Sequence, residues 1–228
     1  MSAVSVVIPA RNAERYLAEA AGSIRAGTVG ADEIVVVDDG SSDRTAAIAA
    51  DLGEPVVCVS QGPLGLAAAC NAGVRASSGE LVGFVDSDDL WTARKLELQL
   101  DALEADPSID AVFGHVVEFA SPELTEADRA GFVVHEAPAP ARLRGTMLAR
   151  RELLEEVGPF EESIRIGDFI DWQARAQDAG AKLTLLDDVV LERRIHLWNM
   201  GRAEAAAARL EYVRVIRRIR DRRAGVPR

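Results

Sequence analysis

The stretch Gly79-Glu-Leu-Val-Gly-Phe-Val-Asp-Ser-Asp-Asp-Leu-Trp91 contains the features that decide the fold. Its apolar run, residues 81–85, predicts a buried strand that breaks directly into an Asp-Ser-Asp-Asp group at 86–89. Three carboxylates crowded at a strand end repel one another, and their burial is costly without a partner. A divalent cation is the natural partner, since carboxylate oxygens suit Mg²⁺ or Mn²⁺. A solvated turn followed by a helix N-cap uses the same residue types, so the cluster alone leaves both interpretations open.

The overall composition excludes several classes of protein. The chain has 228 residues, of which 48% are apolar, so it can bury a sizeable core. We expect neither a membrane span nor a signal peptide, because no apolar run is long enough and no basic region precedes the first one. The net charge of −11 argues against a nucleic-acid-binding protein. Cys58 and Cys70 lack the spacing of a metal site, and we expect free, buried thiols in a reducing cytoplasm.

Strand-like and helix-like segments alternate through the first half of the chain. Such alternation predicts an α/β fold with a mostly parallel, Rossmann-like central sheet flanked by helices on both faces. In an open sheet of this kind, ligands bind at the carboxyl ends of the strands. The predicted strands are 4–9, 33–37, 56–60 and 81–85, and the predicted helices are 15–26, 43–52, 64–76 and 93–105.

After residue 106 the pattern changes, but no linker marks a second domain. We therefore expect one domain at 1–200, followed by a helical extension at 201–228. Residues 121–140 are polar and contain three prolines, which predicts a mobile loop of the kind that closes over ligands. The predicted strands are 111–119, 143–149, 182–186 and 189–195, and the predicted helices are 151–157 and 168–179.

The helical extension differs in charge from the rest of the chain. Residues 201–228 contain nine arginines and three acidic residues, a balance of +6, so residues 1–200 carry −17. Apolar residues recur at helical spacing between the arginines, which predicts a basic amphipathic helix. Such a helix either packs on its own domain with the arginines outward, or lies on an anionic membrane surface or a partner.

Polar residues follow four of the predicted strands. They are Pro9 to Glu14, Asp38 to Ser42, the group at 86–89, and His196. Each has an ordinary explanation as a helix cap, a turn or a solvent-facing histidine. Because the carboxyl ends of parallel strands share one edge, however, we expect these four loops to converge. A site that binds a nucleotide base through an aspartate and phosphates through a metal would use all of them.

Five stretches, taken in order along the chain, carry a wider resemblance. They are Val4–Leu17, Val35–Asp43, Gly65–Gly73, Gly79–Asp89 and Met147–Phe160. Together they resemble the family 2 inverting glycosyltransferases, which have the GT-A fold. The resemblance implies transfer of a sugar from a nucleoside diphosphate sugar to an acceptor. It also implies a nucleotide-binding half at 1–106 and an acceptor-binding half at 107–200.

The resemblance further implies a role for the residues at each strand end. One of Asp38 and Asp39 would accept a hydrogen bond from the uracil N3–H, so a UDP-sugar is the favoured donor. Asp86, Asp88 and His196 would hold Mn²⁺ or Mg²⁺ beside the diphosphate. The residues expected to surround the donor are Pro9, Ala10, Arg11, Glu14, Asp38, Asp39, Asn71, Asp86 and Ser87.

The catalytic base of the family is the aspartate of a Glu-Asp pair that opens a helix, with a tryptophan four residues later. Asp168 and Trp172 match that spacing here. Gly167 stands where the glutamate is common. Asp171 is the alternative base, because residues at i and i+3 on a helix are neighbours.

Other α/β proteins differ from this pattern at defined positions. A nicotinamide-dependent oxidoreductase needs G-x-G-x-x-G after its first strand, and residues 9–14 contain no glycine. A nucleotidyltransferase would show a Gly-rich loop with a basic residue there, and this chain has only Arg11. A domain that binds a nucleotide sugar or a partner without transfer stays open, since Gly167 departs from the family pattern.

The sequence specifies neither the sugar nor the acceptor. A saccharide, a lipid carrier, a peptide or a small molecule all fit as acceptor. The basic helix adds two further expectations, peripheral contact with the inner face of a membrane or pairing with a second copy of the chain.

Overall fold

A nine-stranded sheet runs through the computed structural model, which describes residues 2–199 and 205–225. Along the sheet the strand order is β3-β2-β1-β4-β8-β6-β9-β5, and β7 pairs with β6. The strands are β1 (Val4–Ala10), β2 (Glu33–Asp39), β3 (Val56–Gln61), β4 (Leu81–Phe84), β5 (Leu90–Trp91), β6 (Ala111–Ala120), β7 (Ala139–Ala141), β8 (Leu148–Arg150) and β9 (Leu183–Ile195).

Helices cover both faces of this sheet. One face buries α1 and α4 against the strands, and the other buries α3, α6 and α7. This arrangement confirms the predicted α/β fold, because each helix presents one apolar side to the sheet. The helices are α1 (Leu17–Arg25), α2 (Thr45–Asp51), α3 (Leu66–Ala76), α4 (Lys95–Ala105), α5 (Glu126–Ala130), α6 (Arg151–Val157), α7 (Asp168–Asp178) and α8 (Ala205–Arg223), with a 3₁₀ turn at Arg144–Thr146.

The first four strands of the sheet are parallel, as the alternation predicts. In the register of β1, β2 and β3, Ala10 lies opposite Asp38, and Asp38 lies opposite Ser60. On the other side of β1, Val7 lies opposite Phe84 of β4. The loops that follow β1, β2 and β4 therefore leave the sheet at the same edge. This edge carries the candidate site.

The second half of the sheet differs from the sequence prediction in two strands. The segments predicted as 182–186 and 189–195 form one strand, β9, and a bulge opposite Gly114 absorbs the polar residues between them. The segment predicted as a strand at 143–149 begins instead as the 3₁₀ turn, and only β8 pairs with β4 and β6.

Two short strands were not predicted at all. β5 pairs with β9, and β7 pairs with β6 inside the segment predicted to be an irregular loop. That same segment also contains α5, whose first turn is fixed by a reciprocal capping box between Thr125 and Asp128. The expectation of a wholly irregular loop at 121–140 is therefore wrong for these residues.

The predicted basic helix is α8, although residues 201–204 and 226–228 lie outside the described part of the chain. It packs against α7 through Val215, which is 2% exposed. Arg222 pairs with the buried Asp171 at 2.8 Å, and Arg218 pairs with Glu161 at 2.5 Å. Hydrogen bonds from Ser163 and Arg218 lower the pKa of Glu161 to about 2. The inner side of the helix is thus docked on the domain by apolar contact and ion pairs.

Gly167 provides a test of this docking. The residue has φ of +93°, and a β-carbon built on it lies 3.3 Å from Val215 Cγ2 and 3.4 Å from Tyr212 Cδ1. We predict that Gly167→Ala lowers the free energy of unfolding by about 1–2 kcal/mol for the left-handed backbone, and by roughly 1 kcal/mol more for the crowding.

Gly180→Ala is the matched control for this prediction. Gly180 also has a positive φ, +86°, but no atom lies within 4 Å of a β-carbon placed there. Urea unfolding should therefore show a smaller loss for Gly180→Ala than for Gly167→Ala. Equal losses would mean that α8 does not press on Gly167.

Candidate functional site

Three aspartates form a compact cluster directly after β4. A carboxylate oxygen of each of Asp86, Asp88 and Asp89 lies within 4.8 Å of the others. The backbone N–H of Asp89 donates to the carbonyl oxygen of Asp86 at 3.0 Å, so a tight turn brings the three side chains together. Burial, together with the negative charge of Asp88, raises the pKa of both Asp86 and Asp89. The tight turn is what crowds the three carboxylates, so the turn interpretation and the cation interpretation of these residues do not exclude each other.

Arg194 holds this turn from the end of β9. Its backbone N–H donates to Asp89 Oδ1 at 2.9 Å, and its Nε donates to the carbonyl oxygen of Asp88 at 2.9 Å. The guanidinium is buried, lies over the ring of Tyr16 at 4.8 Å, and pairs with Glu19 of α1 at 2.5 Å. One side chain therefore joins the acidic turn to β9 and α1.

His196 lies within hydrogen-bond distance of the cluster, as predicted. Its Nε2 is 2.8 Å from Asp88 Oδ2, and its Nδ1 accepts from the backbone N–H of Trp198 at 3.2 Å. Because Nδ1 is an acceptor, the hydrogen-bond pattern assigns the ring proton to Nε2, which donates to Asp88. The backbone of His196 is in turn fixed by Asn199, whose Oδ1 accepts from its N–H at 2.7 Å. In this arrangement His196 orients the Asp88 carboxylate.

The loops after β1 and β2 are joined by hydrogen bonds. Asn12 has a left-handed backbone, with φ of +50°. Its N–H donates to Ser41 Oγ at 2.9 Å, and its Oδ1 accepts from the N–H of Ser42 at 2.9 Å. The N–H of Ala13 donates to Thr45 Oγ1 at 2.8 Å. Together these bonds fix the positions of Pro9, Ala10, Arg11 and Glu14 relative to the second loop.

Asp38 and Asp39 are both buried at the end of β2. Asp38 Oδ1 accepts from the backbone N–H of Ser41 at 3.1 Å. Asp39 accepts three hydrogen bonds, from Gln61 Nε2 at 2.7 Å, from Leu64 N at 2.8 Å and from Gly65 N at 2.9 Å. Asp39 therefore fixes the loop between β3 and α3. Each carboxylate oxygen has two lone pairs, so both residues keep an acceptor position for a ligand.

Asn71 connects the two halves of the domain. Its side-chain amide donates to the carbonyl oxygen of Phe160 at 2.9 Å and accepts from the N–H of Phe160 at 2.9 Å. The same amide nitrogen is 3.0 Å from Glu162 Oε1. These bonds join α3 to the segment before α7. They show a positioning role for Asn71 in the structure.

Asp168, the predicted base, is 4% exposed at the start of α7 and forms an ion pair with Arg144 Nη2. The Arg144 guanidinium lies 4.9 Å from the ring centre of Phe160 and 5.4 Å from that of Phe169. Its Nε is buried without a hydrogen-bond partner in the described part of the chain. Arg144 also opposes the rise in the pKa of Asp86, so its charge acts on both the acidic cluster and the predicted base.

Asp171, the alternative base, has both carboxylate oxygens in ion pairs. Arg175 Nε lies 3.0 Å from Oδ2, and Arg222 Nη1 lies 2.8 Å from Oδ1. The side chain is 1% exposed. Its partners belong to α7 and α8, so Asp171 joins these two helices.

The sequence prediction assigned no role to three residues that the structure places at the site: Asp89, Arg144 and Arg194. Asp89 was visible in the motif. Arg144 was hidden within a predicted strand, where the following Gly145 is the one local sign of a turn. Trp91 Nε1 donates to the Gly145 carbonyl oxygen at 3.2 Å, and Lys95 Nζ donates to that of Thr146 at 3.0 Å. These buried donors hold the turn that carries Arg144.

Comparison with known proteins agrees with this architecture. Residues 5–158 match the model of a family described as glycosyl transferase family 2. A Nostoc protein described as an uncharacterized glycosyltransferase, alr2836, is 34% identical over 177 residues, which are 69% of this chain and 54% of that protein. The chain thus spans about half the length of this curated relative.

Two solved structures share the fold. Staphylococcus aureus TarS, residues 1–349, in complex with UDP-GlcNAc, has a TM-score of 0.67 at 20% identity over 86% of this chain and 60% of that one. The mannosyltransferase PcManGT from Pyrobaculum calidifontis, in complex with GDP-Man and Mn²⁺, has a TM-score of 0.70 at 23% identity over 95% and 64%.

The sheet, the ordered motifs along it and the match over most of the chain lead to one conclusion: this chain belongs to glycosyl transferase family 2 and has the GT-A fold.

Proposed function

We propose that the chain transfers a sugar from a nucleoside diphosphate sugar to an acceptor, with inversion at the anomeric carbon. The observation that carries the proposal is the cluster of Asp86, Asp88 and Asp89 at the carboxyl end of β4, on the edge where the loops after β1 and β2 also meet. The bound UDP-GlcNAc and GDP-Man of the two structural neighbours support a nucleoside diphosphate sugar as donor. A UDP-sugar is our favoured donor.

We assign the donor site to the loops after β1 and β2, which hydrogen bonds join to each other. The base would lie against the pair Asp38 and Asp39, either of which can accept from a uracil N3–H. The loop fixed by Asp39, residues 61–65, would form a wall of the base pocket, because its backbone N–H groups are already bound to that carboxylate. The ribose and phosphates would then extend toward Asp86 and Ser87, since β1 separates β2 from β4 in the sheet.

The acidic cluster fits a divalent cation. Its donors are hard carboxylate oxygens within 4.8 Å of one another, and burial together with their mutual repulsion raises the pKa of Asp86 and Asp89. Asp86 and Asp88 would hold Mn²⁺ or Mg²⁺, which when bound offsets the charge of the leaving diphosphate. His196 would orient Asp88, and it could contact the ion itself through Nε2 only in the tautomer that carries the ring proton on Nδ1.

Asp168 is our proposed general base. It opens α7, in the half of the chain that the resemblance assigns to the acceptor, and it pairs with a single arginine, whereas Asp171 is held by two. For Asp168 to take a proton from the acceptor, the hydroxyl must come within hydrogen-bond reach of its carboxylate. One carboxylate on the acceptor side is what a direct displacement with inversion requires.

The segment after β6 would exclude water from the donor side. Tyr16 Oη donates to the carboxylate of Glu123, and Arg194 Nη1 lies 3.5 Å from Ser121 Oγ. The start of the 121–140 segment is therefore anchored beside Arg194, which contacts the acidic turn. A covered donor would limit hydrolysis of the sugar nucleotide.

The glycine at 167 is compatible with an active enzyme. Its left-handed conformation and its contact with Tyr212 and Val215 give a structural reason for a residue without a side chain. Gly167 therefore no longer argues for the alternative function, a domain that binds a nucleotide sugar without transferring it. Turnover of a donor, as opposed to binding alone, distinguishes the two functions.

The first prediction concerns Asp88. In thermal unfolding with UDP, GDP, dTDP and their sugar conjugates, one nucleotide series should raise the melting temperature only when Mn²⁺ is added. Asp88→Ala should abolish that metal-dependent shift and keep cooperative unfolding, because the side chain lies in a half-exposed loop. Asp51→Ala, which removes an exposed carboxylate from α2, is the control and should keep the shift. A wild-type protein that no nucleotide stabilises would overturn the donor assignment.

The second prediction separates the two candidate bases. Asp168→Asn should lower the rate of transfer by about 10²–10⁴-fold, the usual contribution of a general base, with donor binding retained. Asp171→Asn should instead lower stability, because it removes a carboxylate from two ion pairs, and should retain most of the transfer rate. Transfer by a folded Asp168→Asn variant at the wild-type rate would show that the base is elsewhere.

The third prediction concerns the buried ion pair of Arg144 and Asp168. Arg144→Met leaves a buried carboxylate unpaired and should cost about 3–5 kcal/mol of unfolding free energy. Combining it with Asp168→Asn should recover a large part of that loss, with a coupling of about 2 kcal/mol in a double-mutant cycle. Arg142→Met, two residues earlier and exposed, is the control and should be nearly neutral. Strictly additive losses would show that the pair is not energetically coupled.

A further inference from the structure

One face of α8 is left without a partner by its docking on α7. At 100° per residue, a helical arc of about 120° on the side away from Val215, which runs from Ile216 through Val213 to Leu210, holds three large aliphatic residues and three arginines. Leu210, Val213 and Ile216 are 59%, 60% and 62% exposed. The arginines of this arc, Arg209, Arg217 and Arg220, are exposed as well, and Asp221 lies at its edge, where it pairs with Arg220. We call these six residues the outer face of α8.

The outer face extends onto α7. Ile216 and Ile219 line a shallow groove together with Ile170, which is 43% exposed on α7. Arg223, at the edge of that groove, pairs with Asp178. The exposed aliphatic strip therefore covers parts of two packed helices and is flanked by arginines. Isolated apolar residues on a surface are ordinary, but a continuous strip of this kind on a docked helix marks a contact surface.

The charge of the face selects its partner. In the described part of the chain, Arg209 and Arg217 have no carboxylate within ion-pair distance, and Arg220 pairs only with the adjacent Asp221. Two copies of this face brought together would place arginine against arginine, which opposes self-association. Aliphatic side chains interleaved with arginines, with a single acidic residue at the edge, are instead the pattern of a helix that lies on an anionic lipid surface.

We propose that the outer face of α8 docks on an anionic membrane surface. Leu210, Val213 and Ile216 would enter the boundary between headgroups and acyl chains, and the three arginines would lie among the lipid phosphates. Within the described residues no helix is long and apolar enough to cross a membrane, so this contact would be peripheral. Because a β-carbon built on Gly167 would lie 3.3 Å from Val215 and 3.4 Å from Tyr212 of the same helix, only α8 would separate the membrane from the start of α7, where Asp168 is located.

The test is co-sedimentation of the whole chain with vesicles, which does not depend on transfer of any sugar. The chain should bind vesicles of mixed phosphatidylglycerol and phosphatidylcholine and should not bind phosphatidylcholine alone, and added salt should weaken binding. Reversing the charge of two arginines, Arg217→Glu with Arg220→Glu, should lower the partition coefficient by about tenfold or more. Leu210→Ser with Val213→Ser should also lower it, since less apolar area would be buried.

The matched control variants make the same kinds of change at exposed residues outside α8. Arg75→Glu with Arg94→Glu reverses two exposed arginines on or next to other helices, and Val57→Ser removes an exposed aliphatic residue from β3. Both should bind like the wild type. Absence of binding to anionic vesicles, or equal losses in the helix variants and the controls, would overturn the proposal.

Sedimentation velocity of the same proteins tests the alternative, in which the outer face of α8 binds a second copy of the chain. A dimer that is lost in the two α8 variants, from a chain that does not bind vesicles, would assign the face to a second copy and overturn the membrane proposal. The proposed transfer reaction would stand in either case, because the donor and metal assays concern other residues.

Discussion

Electrostatic repulsion among Asp86, Asp88 and Asp89 is the constraint that the rest of the site accommodates. Burial makes the repulsion more costly, and it raises the pKa of Asp86 and Asp89. The chain offsets part of this cost with its own donors, namely the backbone and guanidinium of Arg194 and the ring of His196. These donors neutralise the cluster incompletely, which is the condition that a cation site requires.

The offsetting groups come from the far end of the chain. His196 and Asp88 are separated by 108 positions, and Arg194 and Glu19 by 175. They meet because β5, formed directly after the acidic turn, pairs with β9 in antiparallel register. Together with the pairing of β9 with β6, which runs to Ala120 opposite Ile195, this two-residue strand positions the residues that face the carboxylates. Formation of the site depends on completion of the whole sheet.

This dependence explains which parts of the structure could be predicted from sequence. The parallel strands and the polar residues at their ends follow local rules, since apolar runs form buried strands and their carboxyl ends share an edge. β5 is too short to have a periodicity, so it was missed. β9 was divided at Asp187 and Asp188 because acidic residues are typical of turns, whereas here a bulge opposite Gly114 accommodates them.

Arg144 was missed for a different physical reason. Its segment, residues 143–149, ends in the apolar run Met147-Leu148-Ala149 and resembles a strand. The turn that carries it is fixed by Trp91, Lys95 and Gln99, which lie about 50 residues earlier in the chain. No local pattern encodes such a contact. The same is true of Asp171, which the i, i+3 spacing presented as a second base, and which Arg222 of α8 holds in an ion pair.

The role of Gly167 follows from these long-range contacts. A glutamate at this position would need a left-handed backbone, and its side chain would meet Tyr212 and Val215. The chain instead places α8 there and joins it to α7 through Asp171 and Asp178, and to the segment before α7 through Glu161. Helix α7 therefore contacts the sheet on one side and α8 on the other, with Asp168 at its first turn. Docking of α8 on a surface would therefore bear on the helix that carries the proposed base, because ion pairs join the two helices directly.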